Sequence, residues 1–185
     1  MALLIFFCLG AFGASLWWTT NRLAALDSRC ERAMADIDVQ LKQRHEMLPN
    51  LLSTVRAFAA HERDALDMVT RARAGAMSAA RGDAQLRAEA TLTTQLSQLM
   101  TIVESYPELQ ASQHFQALRM EIAGAENKIA ASRRYLNATV DEYNATLRQF
   151  PANVLSKLLP RHHPRSFYDI GVERVLLDEA PSLKF

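Results

Sequence analysis

Residues 36–52 read DIDVQLKQRHEMLPNLL. Ile37, Leu41 and Leu48 fall at i, i+4 and i+11, on one side of a 3.6-residue helix. Leu51, Leu52, Val55 and Phe58 carry the apolar stripe past Pro49, while Lys42, Arg44 and Glu46 lie off it and read as solvated. Pro49 has no N–H to give, and its ring clashes with the carbonyl of His45 if the helix runs straight through. Leu48, as the residue before proline, is pushed away from the α region. Two readings follow. Either the chain turns at residues 47–50 and Pro49 opens a new helix, where it fits well, or one long helix kinks there. The periodicity alone does not choose between them.

Upstream, residues 1–20 (MALLIFFCLGAFGASLWWTT) carry no charged side chain. About 20 helical residues cross a hydrocarbon core of roughly 30 Å. Leu3, Phe6, Leu9, Phe12 and Leu16 would face lipid, with Trp17 and Trp18 at the aromatic belt before Arg22. A cleaved signal peptide needs a basic start, and here the apolar run begins at residue 2. Cys8 follows Phe6 and Phe7 rather than small residues, so a lipoprotein reading fails as well. Arg22, Arg29 and Arg32 follow the span and no basic residue precedes it. The positive-inside rule therefore puts the remainder in the cytoplasm, on a single-pass anchor in the inner membrane. No Pro or Gly interrupts residues 14–48, so the anchor can run on as a juxtamembrane helix through Leu23, Leu26, Cys30 and Met34.

Downstream, Val55, Phe58, Ala59, Glu62, Leu66 and Val69 mark the inner face of a second helix over 49–81, with Glu62 a polar intruder. Gly82 and Asp83 read as a stop and a restart. Leu86, Leu92, Leu96, Leu99, Met100 and Val103 supply the apolar side of a third helix over 84–105, which Pro107 ends. Residues 108–149 form the fourth, with apolar residues from Phe115 to Phe150 at heptad-like steps. At about 63 Å it is the strut for the shorter helices. If the chain turns at Pro49, four helices run up and down with short connections, as simple bundles do; if it only kinks, the strut overshoots its neighbours. The length argument favours the turn. A short helix over 152–159 follows, then an irregular stretch from 160, with residues 171–177 apolar enough for a strand or a helical turn.

The chain resembles the LemA family. The resemblance rests on IDVQLKQR (37–44), LPNLL (48–52), HE (61–62), RAR (71–73), ESYPEL (104–109), ENKI (126–129), RRYLN (133–137), YN (143–144), FP (150–151) and the closing PSLKF (181–185). Leu136 departs from the pattern, standing where an aromatic often precedes the asparagine, and the stretch after Pro160 diverges more. The resemblance implies a bacterial membrane protein, with relatives among magnetosome membrane proteins, and an antiparallel four-helix bundle. It implies fold and topology more than chemistry. The expected architecture is therefore all-α: a transmembrane anchor over 1–21, an up-down four-helix bundle with one long last helix over 22–159, and an irregular tail over 160–185.

No catalytic constellation emerges. His45-Glu46 and His61-Glu62 resemble the start of a zinc-protease helix, but the required second histidine is replaced by Pro49 and Ala65. His162 and His163 have no Cys, Asp or Glu at ligand spacing, so they read as loop histidines and not as a metal site. Neither a phosphate-cradling glycine loop nor a nucleophile elbow is present. With 21 basic and 20 acidic residues there is no electrostatic footprint for nucleic acid. Two cysteines make no disulfide framework. No cofactor and no small-molecule substrate are expected. The polar residues Asp38, Glu62, Glu126, Arg133, Asn137 and Asn144 read as a structural polar core, in which Arg133 or Arg134 would pair with Glu62 or Asp38.

These readings point to a non-enzymatic, membrane-anchored scaffold that associates with itself or with a membrane protein partner. Met68, Met77 and Met120 are apolar residues outside the core that such contacts could use. The alternative is a signalling or regulatory adaptor, with Pro181, Leu183 and Phe185 as a short motif for a partner's groove.

Overall fold

The computed structural model describes residues 1–158 and 162–168, and every regular element among them is a helix. They are α1 (Ala2–Phe58), α2 (Arg63–Ser78), α3 (Asp83–Val103), α4 (Pro107–Ala111), α5 (Gln113–Arg148) and α6 (Ala152–Leu158). The expected all-helical architecture stands, and the expected turn at Pro49 does not. The apolar N-terminal stretch, the residues that follow it and the stretch beyond Pro49 are one helix of 57 residues with Pro49 inside it.

The physical reason lies on the two sides of the proline. A helix-interior proline costs about 3 kcal/mol. Leu48, Leu51 and Val55 are fully shielded from solvent and Leu52 nearly so. Burial of each such side chain contributes about 1.5–3 kcal/mol, so the apolar stripe outweighs the break. The reversal comes instead at residues 59–62, where the Ala59 N–H still donates to the Val55 carbonyl and Glu62 N–H donates to Ala59. Ala59 is buried, whereas Phe58, expected on the inner face, is exposed.

The other boundaries lie close to expectation. Gly82 has a φ of 99°, a left-handed value that suits glycine, and it directly precedes α3. Asp83 is thus the first residue of α3 rather than its cap. The long last helix is 36 residues, shorter than expected, because α4 and an extended Ser112 come before it.

The chain divides into two compact units. One is Val39–Ile129 with Tyr168. Its core is a continuous apolar cluster of Leu48, Leu51, Leu52, Val55 and Ala59 with Leu66 and Val69, then Leu92, Leu96, Leu99 and Val103, and finally Leu109, Phe115, Leu118 and Ile122. The last turns of α1 thereby pack with α2, α3, α4 and the start of α5. The other unit is Met1–Asp38 with Ala130–Phe167. Here Leu23, Leu26, Cys30, Ala33 and Ile37 of α1 and Leu136, Val140, Tyr143 and Leu147 of α5 are buried. Arg22 and Arg29 of α1 both reach Glu142 of α5, at 3.6 and 3.3 Å. Phe150, assigned to the inner stripe by its spacing, is exposed.

Replacing Pro49 by Ala restores a helix donor without removing core volume. Pro49→Ala should leave the helical circular-dichroism signal unchanged and raise unfolding stability by about 1–3 kcal/mol. A loss of helix or of stability would show that the proline forms a turn.

Candidate functional site

The carbonyl of His45 sits one turn before Pro49 and loses its usual helix donor, because proline has no N–H. Arg73 of α2 takes that place: its Nε–H donates to the His45 carbonyl at 2.7 Å. The buried carbonyl is thus satisfied from a neighbouring helix.

Beside it, Arg44 is fully shielded from solvent. This overturns the expectation that Arg44 is solvated. The reason is its register: Leu41, Arg44 and Leu48 follow at steps of three and four, so the guanidinium stands on the inner seam of α1. Its charge is met by carboxylates. One terminal nitrogen donates to Glu89 of α3, itself only 1% exposed. The other donates to Glu126 of α5 and, at 2.9 Å, to the Thr93 hydroxyl. His45 Nε2 lies 3.0 Å from Glu89 Oε1. The hydrogen bond itself goes to Glu89 Oε2 at 3.3 Å, and since an ionised carboxylate only accepts, Nε2 carries its hydrogen. Burial pushes the Glu89 carboxyl upward, but the His45 hydrogen bond and the Arg44 charge together outweigh it and hold it below its ordinary value. A carboxylate so held stays ionised at neutral pH, and its bonds to Arg44 and His45 make it a clasp between helices. The clasp joins α1, α2, α3 and α5 within one unit.

Of the residues read as a polar core, Glu126 enters this clasp. Glu62 precedes α2 and accepts a 2.8 Å hydrogen bond from the Tyr106 hydroxyl, which pushes the Tyr106 phenol upward. Asn144 grips the backbone of Arg165: its amide donates to the Arg165 carbonyl at 2.8 Å, and its oxygen accepts from Arg165 N–H at 2.9 Å. Asp38, Arg133 and Asn137 are half-buried, and each has an interaction of its own. Arg44, Arg73 and Glu89 were not among the expected residues. The available signal was a charged residue in an otherwise apolar seam: Leu41–Arg44–Leu48 on α1, and Leu86–Glu89–Leu92 and Leu96 on α3.

Arg165 is a second fastener. Its Nε donates to Asp27 Oδ1 at 2.8 Å, a terminal nitrogen lies 2.7 Å from the same oxygen, and its guanidinium stands 6.0 Å from the Tyr143 ring. Cys30 is buried in the same unit, and burial pushes its thiol upward, as befits a small core residue. Pro181, Leu183 and Phe185, and the apolar run over 171–177, lie outside the described residues.

Residues 3–18 present the opposite surface. Leu3, Phe6, Leu9, Phe12, Trp17 and Trp18 are each at least half exposed, and Leu16 is partly so. The best 18-residue window has a mean hydropathy of 1.8 with only 6% of it buried. The segment is therefore an apolar helix without a core of described residues around it. The Thr19 hydroxyl donates to the Ser15 carbonyl at 2.8 Å and the Thr20 hydroxyl to the Trp17 carbonyl at 2.8 Å, so neither needs water. Arg22 lies 5.5 Å from the Trp18 ring.

An exposed apolar helix that continues into a helical core clasped by buried charge defines a class of membrane-associated, all-helical proteins. Within that class this chain belongs to the LemA family, which it matches over residues 33–185. It is also similar to magnetosome protein MamQ of Magnetospirillum gryphiswaldense, 30% identical over 77 residues covering 42% of this chain and 28% of that protein. With magnetosome protein MamQ 2 of Paramagnetospirillum magneticum it is 22% identical over 172 residues, covering 79% of this chain and 63% of the relative. The chain thus spans less than two thirds of the length of these relatives.

Removing Arg44 alone strands a buried carboxylate. Arg44→Met should cost about 3–5 kcal/mol in chemical unfolding, and adding Glu89→Met should recover much of it; additive losses would contradict the clasp. Because Glu89 is held below its unfolded value, its contribution is complete above about pH 4.5 and is lost as pH falls through the lower folded value. Unfolding titrations of Glu89→Gln should accordingly show a shallower loss of stability on acidification than the wild type.

Proposed function

We propose that this chain is a non-enzymatic, single-pass scaffold of the inner membrane, which associates with copies of itself or organises a membrane protein complex. Its division of labour is an anchor over 1–21, a helical body over 22–159 and a tail over 160–185. The body stands on the cytoplasmic side, as Arg22, Arg29 and Arg32 directly after the span favour.

The observation that carries this reading is the unbroken α1. The exposed apolar helix and the residues of the buried clasp are parts of one element, Ala2–Phe58, so an anchored end is joined to a folded body without a flexible linker. The clasp ties the buried Glu89 carboxylate to Arg44 and His45, which favours assembly over turnover. Met68, Met77 and Met120 are about half exposed or more and offer adaptable apolar contacts to a partner. That relatives are named magnetosome proteins supports a part in building a larger structure.

The mass of the intact chain extracted in mild detergent tests the proposal. A discrete oligomer, or a co-purifying membrane protein, is the expected result. A monomer that also captures no partner on crosslinking in membranes would overturn it and favour the adaptor reading.

A further inference from the structure

A cavity of about 500 Å³ lies at the end of α5, lined by Leu147 and Pro164 together with the polar residues Asn144, Arg148, Asn153, Ser156, His162 and His163. It belongs wholly to the unit of Met1–Asp38 and Ala130–Phe167. Its polar lining offers one guanidinium, two imidazoles and neutral hydrogen-bonding groups, and no carboxylate. Arg148 is exposed, and no acidic side chain among the described residues pairs with it. His162 Nδ1 is shielded from solvent and has no hydrogen-bond partner among the described residues. A buried polar atom without a partner beside a free guanidinium fits an anion with several acceptor oxygens.

The level of the cavity along α1 identifies the anion's source. Within this unit α1 and α5 run antiparallel, since α1 leaves it at Asp38 and α5 enters it at Ala130. Glu142 is reached by both Arg22 and Arg29, so it lies level with about residue 25. Arg148 is six residues further, about 9 Å nearer the anchor at about 1.5 Å per residue, which is level with about Thr19. Thr19 is itself buried, while Trp17 and Trp18 just before it are exposed. Two apolar side chains stand exposed beside the cavity's residues: Phe150 is 71% exposed and Val154 47%. Exposed apolar groups beside a guanidinium, level with an aromatic belt, are what a lipid–water interface selects.

We propose that this cavity binds the phosphate of an anionic membrane phospholipid, with Arg148 and the two histidines on the headgroup and Phe150 and Val154 in the acyl boundary. The body then meets the membrane at a second point besides its anchor. This rests on residues 1–21 being that anchor.

The test is native mass spectrometry of the full chain in detergent, titrated with phosphatidylglycerol, phosphatidylcholine and inorganic phosphate. The expected result is retained phosphatidylglycerol, favoured about fivefold over phosphatidylcholine as one basic residue near a headgroup supplies. Arg148→Ala with His163→Ala, both at exposed positions, should abolish the preference, and Arg148→Lys should keep most of it. Equal binding of the two lipids, or a preference that survives the double substitution, overturns the proposal. Displacement of the lipid by millimolar inorganic phosphate also overturns it, in favour of a soluble anion. Carbonate extraction of membranes reports on the anchor separately: a protein released into the wash refutes the anchor and leaves the lipid titration readable.

Discussion

A proline inside a core-forming helix is the constraint on which the rest of this structure depends. Pro49 deprives the His45 carbonyl of its donor and tends to end α1. The helix continues because another helix supplies what is missing. Arg73 donates to the freed carbonyl, and the apolar residues on both sides of the proline are buried against α2, α3 and α5. The neighbouring Arg44 then commits a full charge to the interior, which only the ionised Glu89 and Glu126 make tolerable. Each part requires the others. Without the packing the proline would break the helix, and without the carboxylates the arginine could not be buried.

This arrangement separates specificity from raw stability. Apolar burial supplies most of the favourable free energy of the core, and it tolerates sliding of one helix along another. A buried guanidinium shared among Glu89, Glu126 and Thr93 tolerates none, because displacement by one turn would leave charge unpaired in a medium of low dielectric. The clasp accordingly fixes the register of α1, α3 and α5. Arg165 performs a similar task in the other unit, with Asp27, Glu31 and Asn144 as its partners.

The helices were legible in the sequence wherever an apolar period met a conventional stop. Gly82 and Pro107 mark the two ends of α3 to within about two residues. The exposed apolar helix was legible for the same reason, since twenty uncharged residues in a row have few alternatives. Pro49 misled because a local rule was applied where tertiary packing decides. The true reversal, at residues 59–62, carries neither Gly nor Pro and so left no local mark. Arg44 and Glu89 were hidden by the habit of assigning charge to solvent. Their three- and four-residue spacing to leucines was present throughout, but only a partner on another helix turns such a position from a cost into a fastener. Glu126 and Asn144 were found through the family resemblance, without their partners.

The continuity of α1 through Pro49 can be measured directly by pulsed electron spin resonance. Spin labels would replace the exposed Val39 and Ala57, with Cys8 and Cys30 changed to serine. Eighteen residues of unbroken helix place the two labelled backbone positions about 27 Å apart, and a single narrow distribution near that separation is the predicted result. If the chain instead reversed at Pro49, the two positions would lie on adjacent helices with axes about 8–10 Å apart, and a short distance would contradict the account.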